Sequence, residues 1–304
     1  MRVIGYRHQR TLTAPAAVDG VGFITGAPVR LRFLPAEPNA GIGFRRTDLP
    51  DAPPVPARVA RVSGTQRRTT LGSQAAGITL VEHALAALAG LRIDNCLIEL
   101  DGPEPPGLDG SAAGFVAALF AAGAVSQTAR RPIYGVSKPV VVRTPCATLA
   151  LHPADGPDLR VSYRLDYGTG APIVPQTHTL TVTPETFARD LSRCRTFLTD
   201  DEAVGLRAQG VGRHLGYADL LVFGAKGPIH NAVRFADEPA RHKILDLIGD
   251  LALCGFDLAG HLVAFRSGHA LNVELARRLA CLADAPKSLK VKSRKADGSL
   301  KRAA

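Results

Sequence analysis

Arg241-His242-Lys243-Ile244-Leu245-Asp246-Leu247-Ile248-Gly249-Asp250-Leu251 is the stretch on which the reading of this chain turns. On a helix, His242, Asp246 and Asp250 recur at i, i+4 and i+8 and share one face. Ile244, Leu245, Leu247, Ile248 and Leu251 make the remainder apolar, so the spacing predicts a mostly buried helix over about 240–253, stopped by Gly255. Three ionisable groups stacked on such a helix cost roughly several kcal/mol unless each is paired or bound to a metal. The bland alternative for the same spacing is a His–Asp pair on a solvated face.

Outward from that helix, a strand is predicted over about 261–266 and a second helix over about 270–283, while strand-like runs precede it at 140–143, 147–151 and 159–165. The first half follows the same plan. Short β-type runs at 29–33, 42–45 and 58–62 are separated by Gly, Pro, Asn and Asp, as turns require. A helix over 80–89 stopped by Gly90, a strand over 94–100 and a helix over 111–122 capped by Ser111 come next. A strand-rich stretch followed by helix–strand–helix thus occurs twice. The expectation is an α+β fold of two similar domains, 1–127 and 133–285, each a sheet with helices on one face, joined near 127–132. His83 and His242 fall in the first helix of their respective repeats, where packing of the halves could bring them face to face.

Size and composition agree with that division, since 304 residues suffice for two cores and 46% hydrophobic with 21% charged residues is globular. Much of the net charge of +10 comes from Lys287, Lys290, Lys292, Arg294, Lys295, Lys301 and Arg302, with only Asp297 opposing them there. The end, 286–304, therefore reads as a basic mobile tail with at most peripheral contact to anionic lipid. A nucleic-acid-binding surface would interleave basic and aromatic residues, and aromatics are only 5% of the chain. The five cysteines are scattered without a C-x-x-C pair, which excludes a disulfide framework and a thiolate zinc site. No secretory leader and no membrane span is visible, so a cytoplasmic, reducing location and a monomer are expected.

Two further motifs carry chemistry. Val81-Glu82-His83 opens the first helix, and Ser267-Gly268-His269-Ala270-Leu271-Asn272 sits at a strand–helix corner from which an imidazole can project into a cleft. Each has an ordinary explanation, helix N-terminal acidic bias for the first and a turn histidine for the second. Together they say more. His83, His242 and Asp246 form a two-imidazole, one-carboxylate set suited to zinc with one position left for water. Glu82 and His269 would then be a base and an acid, with Asp250 orienting the acid.

At these residues the chain resembles the UDP-3-O-acyl-N-acetylglucosamine deacetylases of lipid A synthesis, nearly end to end. The matching blocks are RTL at Arg10, GVGF-TG from Gly20, FRRTDL from Phe44 and VEHALAALAGLRIDN from Val81. They continue with GPE-P-LDGSA from Gly102, SRCRTF from Ser192, RHKILDLIGDL from Arg241 and SGHALN from Ser267. The resemblance implies two α+β domains packed helix layer to helix layer with the active site at their interface. It implies zinc on His83, His242 and Asp246, Glu82 as general base, and His269 as general acid kept cationic by Asp250. Thr196 would bond the oxyanion, Lys243 and Arg266 the nucleotide, Tyr167 would stack on uracil, and Phe197 would stand at the acyl-chain passage. Gly268 joins these as a substrate contact. An acylated UDP-N-acetylglucosamine is the implied partner, and iron could replace zinc in such a ligand set. Two stretches depart from the family pattern. Ile24 stands where the family has histidine, and 212–220 replaces a GGSLDNAIV-like run, so substrate contacts there should differ. His214 and His230 are extra histidines read as loop residues. A different acylated sugar nucleotide is the nearest alternative substrate, and a catalytically silent homologue a more distant one.

Overall fold

The computed structural model describes residues 1–73, 76–217 and 219–284, so the basic tail expected at 286–304 lies outside them. Among the described residues there are six α-helical segments: α1 (Glu82–Gly90), α2 (Ala113–Ala122), α3 (Pro184–Thr186, a single turn), α4 (Asp200–Ala208), α5 (Glu238–Ala252) and α6 (His269–Asp284). The result is a mixed α+β fold with several sheets.

Two five-stranded sheets dominate, and they share one topology. The first runs in the order Ala16–Val21, Pro28–Pro35, Cys96–Leu100, Ile42–Arg46, Val55–Pro56. The second runs Val140–Arg143, Thr148–His152, Gly260–Phe265, Leu159–Leu165, Gln176–Thr181. In both, the central strand pairs antiparallel on one side and parallel on the other, and the outer pairs are antiparallel. In both, that central strand lies in sequence between two helices, α1 and α2 in the first and α5 and α6 in the second. The repeat predicted from the order of helices and strands is therefore a repeat of strand pairing as well.

Alternation decides which face each strand buries. Val29, Leu31 and Phe33 point into the core while Arg30 and Arg32 stay outside. Phe33 and Phe44 flank Ile98 in register, and Val161 lies opposite Leu262 in the second sheet. α1 is apolar around most of its circumference and buried accordingly, and α5 packs against it. One residue explains how close they come. A Cβ on Gly249 would lie 2.1 Å from the carbonyl oxygen of Glu82, so only glycine lets α5 meet the first turn of α1.

The structure corrects some local expectations and refines others. Residues 58–62 were expected as a strand, but Val59–Arg61 form a 3-10 turn, because the Val59 N–H is taken by Leu253 O at the end of α5 (3.0 Å) rather than by a neighbouring strand. α2 begins at Ala113, two residues later than expected; the Ser111 hydroxyl accepts the Ala113 N–H (3.2 Å) and donates to Asp109 (2.7 Å). Gly90 is the last residue of α1 and serves packing, since a Cβ there would strike the Phe187 ring at 2.3 Å. Residues 127–132, expected as a joint, lie inside the strand Ala124–Gly135, which pairs with Arg2–Leu12 and with Asp257–Leu258. An inserted unit, with strands Phe197–Thr199, Leu221–Gly224 and Gly227–Pro228 beside α4, had no counterpart in the predicted plan. None of the helices among the described residues is long and apolar enough to cross a membrane.

Candidate active site

The face of α5 that carries His242, Asp246 and Asp250 is buried, as the spacing predicts. His83, the second residue of α1, meets it across the helix pair: the His83 and His242 rings stand edge to face with centroids 5.0 Å apart. Asp246 Oδ1 lies 3.4 Å from His83 Nε2 and 3.3 Å from His242 Nε2. One ligand atom from each of the three residues falls within 4.8 Å of the others.

The chemistry of these donors fits a divalent metal. The Nδ1–H of His242 donates to the carbonyl oxygen of Cys194 (3.0 Å), which can only accept, so Nε2 keeps its lone pair facing the cluster. Burial above all keeps that imidazole neutral, pushing its pKa down to about 4. Burial opposes the charge of Asp246, yet the surrounding imidazoles and the Lys243 ammonium hold its carboxyl well below the usual carboxylate range. Two imidazoles and one carboxylate around a common point are donors that suit a divalent metal such as zinc.

Two more ionisable groups line the same space. Glu82 is 2% exposed and sits at the first turn of α1, where burial pushes its carboxyl pKa up. His269 opens α6, and its Nε2 stands 3.9 Å from Glu82 Oε1. Burial works against an imidazolium there, but Asp250, 2.9 Å from Nδ1, and Glu82 outweigh it and raise His269 to about 9. Asp250 is itself fixed by Thr69 (2.6 Å) and by the amide of Asn272 (2.9 Å). So a carboxyl with a pKa raised by burial and a cationic imidazole face each other beside a three-ligand cluster.

The cavity in front of them is about 590 Å³. His83, His242, Asp246, Glu82, His269, Thr196, Lys243, Tyr167, Phe197 and Gly268 all line it, and Asp250 stands behind His269. The Thr196 hydroxyl donates to Gly110 O (3.1 Å) and lies 3.4 Å from His242 Nε2. Tyr167 and Phe197 approach edge to face at 6.2 Å. Lys243 reaches back to Asp246 (2.7 Å), which with its other neighbours keeps the ammonium charged above its ordinary value despite burial. Arg266 is the exception. It is not among the residues lining this cavity but is paired with Asp166 at 2.8 Å, with a left-handed backbone (φ 52°). His214 and His230 also stand off the lining, His214 against Gly26 and His230 beside Tyr217.

Several participants were not singled out from the sequence. Thr69 and Asn272 are buried polar residues whose partners are distant in the chain or on another helix face. Glu104, equally buried, accepts the N–H groups of Ile24 and Thr25 (2.9 and 2.7 Å) and so shapes the loop that brings Phe23 and Ile24 to the cavity. An acidic residue between Pro103 and Pro105 was the available hint.

Fold and site together define an α+β protein with a candidate metal centre where α1 and α5 pack together. Residues 9–281 match the family model described as LpxC: UDP-3-O-acyl N-acetylglycosamine deacetylase. Similar proteins include the UDP-3-O-acyl-N-acetylglucosamine deacetylase of Nostoc sp. (strain PCC 7120), 39% identical over 281 residues, which covers 91% of this chain and 99% of that one. The enzyme of that name from Thermosynechococcus vestitus is 41% identical over 272 residues, 90% and 94% of the two chains. That from Brucella melitensis biotype 1 is 38% identical over 275 residues, 90% and 95%. The chain belongs to the UDP-3-O-acyl-N-acetylglucosamine deacetylase family.

Proposed function

We propose that this protein hydrolyses the acetamide of a UDP-3-O-acyl-N-acetylglucosamine, releasing acetate and leaving UDP-3-O-acyl-glucosamine for lipid A synthesis, with zinc as its cofactor. The observation that carries the reading is the meeting of His83, His242 and Asp246 in one cavity with Glu82 and His269. Zinc held by those three residues would supply a Lewis acid for the amide carbonyl and lower the pKa of a water towards about 7. Glu82 accepts the proton of the attacking water. Burial favours the protonated carboxyl, so it holds that proton readily once it has it. The Thr196 hydroxyl turns from Gly110 O to the oxygen that gains charge, a donor worth about 3 kcal/mol in such sites. An amine leaves poorly unless protonated, and His269, kept cationic by Asp250, supplies that proton.

Substrate contacts follow from the lining. Tyr167 offers a face for the uracil ring, Phe197 and its apolar neighbours the entry for the acyl chain, and Lys243 a charge for the nucleotide. Gly268 leaves open space in the cavity wall where a Cβ would meet nothing within 4 Å. Arg266 reaches the nucleotide only by leaving Asp166. The two repeats correspond to domains at 1–127 and 133–285, with the site between them, and the protein works as a cytoplasmic monomer on a substrate with a membrane-prone tail. The test is acetate release from UDP-3-O-acyl-N-acetylglucosamine with acyl chains of several lengths, alongside metal analysis. One zinc per chain and turnover are expected; a metal-free preparation with full activity sinks the mechanism.

A further inference from the structure

Thr69 has no place in the chemistry above, yet it is fully buried (0% exposed) and touches both halves of it. It immediately precedes the short strand Thr70–Leu71, and its carbonyl accepts the Val81 N–H at the start of α1 (3.4 Å). Its own N–H donates to Glu82 Oε2 (3.1 Å). Its hydroxyl donates to Asp250 Oδ1 (2.6 Å) and lies 3.4 Å from His269 Nδ1. Asp250 Oδ2 already serves His269 and Asn272, so among the described residues Thr69 is the only partner of Oδ1. A single residue therefore joins the carboxylate on α1 to the carboxylate–imidazole pair carried by α5 and α6.

Helix packing sets where the backbones of α1, α5 and α6 lie, but it leaves the side-chain torsions of Glu82 and Asp250 free. Hydrogen bonds must fix those, and an outer partner that orients a working group commonly changes activity about 10- to 100-fold when lost. We propose that Thr69 is a positioning residue that holds the Glu82 carboxylate and the Asp250–His269 pair in register, so that base and acid face the same amide. The inference rests on the deacetylase reading. It assigns the hydroxyl to Asp250 and the backbone N–H to Glu82, and substitution separates the two.

Thr69→Val keeps shape and N–H but removes the hydroxyl; Thr69→Ser restores it. With zinc-loaded protein and acetate release as the readout, T69V should lower kcat about 10- to 100-fold, with KM within about two-fold of wild type and zinc still bound. T69S should recover kcat to within about three-fold of wild type. In a double-mutant cycle with Asp250→Asn, the T69V loss should largely vanish, because the hydroxyl acts through Asp250. A T69V enzyme with wild-type kcat, a loss confined to KM, or a loss undiminished in the D250N background overturns the proposal. If T69V does not fold, Thr69→Ala takes its place, and serine no better than alanine then overturns it. Inactive wild-type protein would instead indict the deacetylase reading itself.

Discussion

Charge and protonation at single residues decide what this cavity can do. Glu82 and His269 are both buried, but their neighbours differ: only His269 has a carboxylate in hydrogen-bond contact. Its imidazolium therefore persists to about 9, while Glu82 titrates above the ordinary carboxyl range. Glu82 works deprotonated, so activity falls as pH drops through its raised pKa. His269 works protonated, so activity falls as pH rises through its own pKa, which a bound cation pulls down from about 9. The rate profile should be bell-shaped, and His269→Gln should remove the basic limb. A stability effect has the same origin. The raised histidine pKa contributes stability fully present below the ordinary value near about 6.5 and lost as pH rises through about 9. Across that window the melting temperature of metal-free wild type should fall, and that of His269→Gln should fall less. Glu82→Ala should cut acetate release about 10²–10⁴-fold with zinc retained; loss of the metal would instead make Glu82 a ligand.

Between elements, the decisive contact is α1 on α5, and Gly249 governs it. Gly249→Ala would force a methyl onto the Glu82 carbonyl, and overpacking of this kind costs about 1–3 kcal/mol. The variant should melt lower and bind zinc more weakly, because His83 moves with α1 away from His242 and Asp246. Unchanged zinc affinity would mean that the helices are not the frame of the site. Behind His242, the Cys194–Thr196 segment is held by a buried ion pair, Arg195 Nε to Glu238 Oε1 at 2.9 Å, which ties it to the first turn of α5. The major helices and central strands were legible because their apolar periodicity is strong and local. Residues 58–62 misled because alternation promises an edge partner, whereas Val59 bonds to the end of α5. The strand Ala124–Gly135 escaped notice because its partner, Arg2–Leu12, lies more than a hundred residues away.

At the scale of the whole molecule, the halves are joined by more than the helix pair. Asp94 and Asp257 share Arg7 and Arg131 in a partly buried network, with Arg7 Nη1 to Asp94 at 2.7 Å and Arg131 Nε to Asp257 at 2.6 Å. Bound zinc should add to that tie, since a ligand held only by the native state stabilises it by mass action. Chelation should lower the melting temperature and abolish turnover together, and zinc should restore both; loss of activity without a thermal shift would place the metal elsewhere. Truncation after Pro286 should leave turnover unchanged. From the order of residues alone came the α+β class, the twofold helix–strand–helix plan and the shared face of His242, Asp246 and Asp250, because periodicity and i, i+4 spacing are properties of a local helix or strand. Glu82, His83 and His269 were picked out by their motifs and by the family resemblance. Only the tertiary structure decided that His83 reaches α5, that Thr69 bridges to Asp250, that Lys243 turns to Asp246, and that Arg266 pairs with Asp166 off the cavity. Those outcomes depend on how closely two helices distant in the chain approach, which is set by a missing Cβ at Gly249 and by the register of two matching sheets.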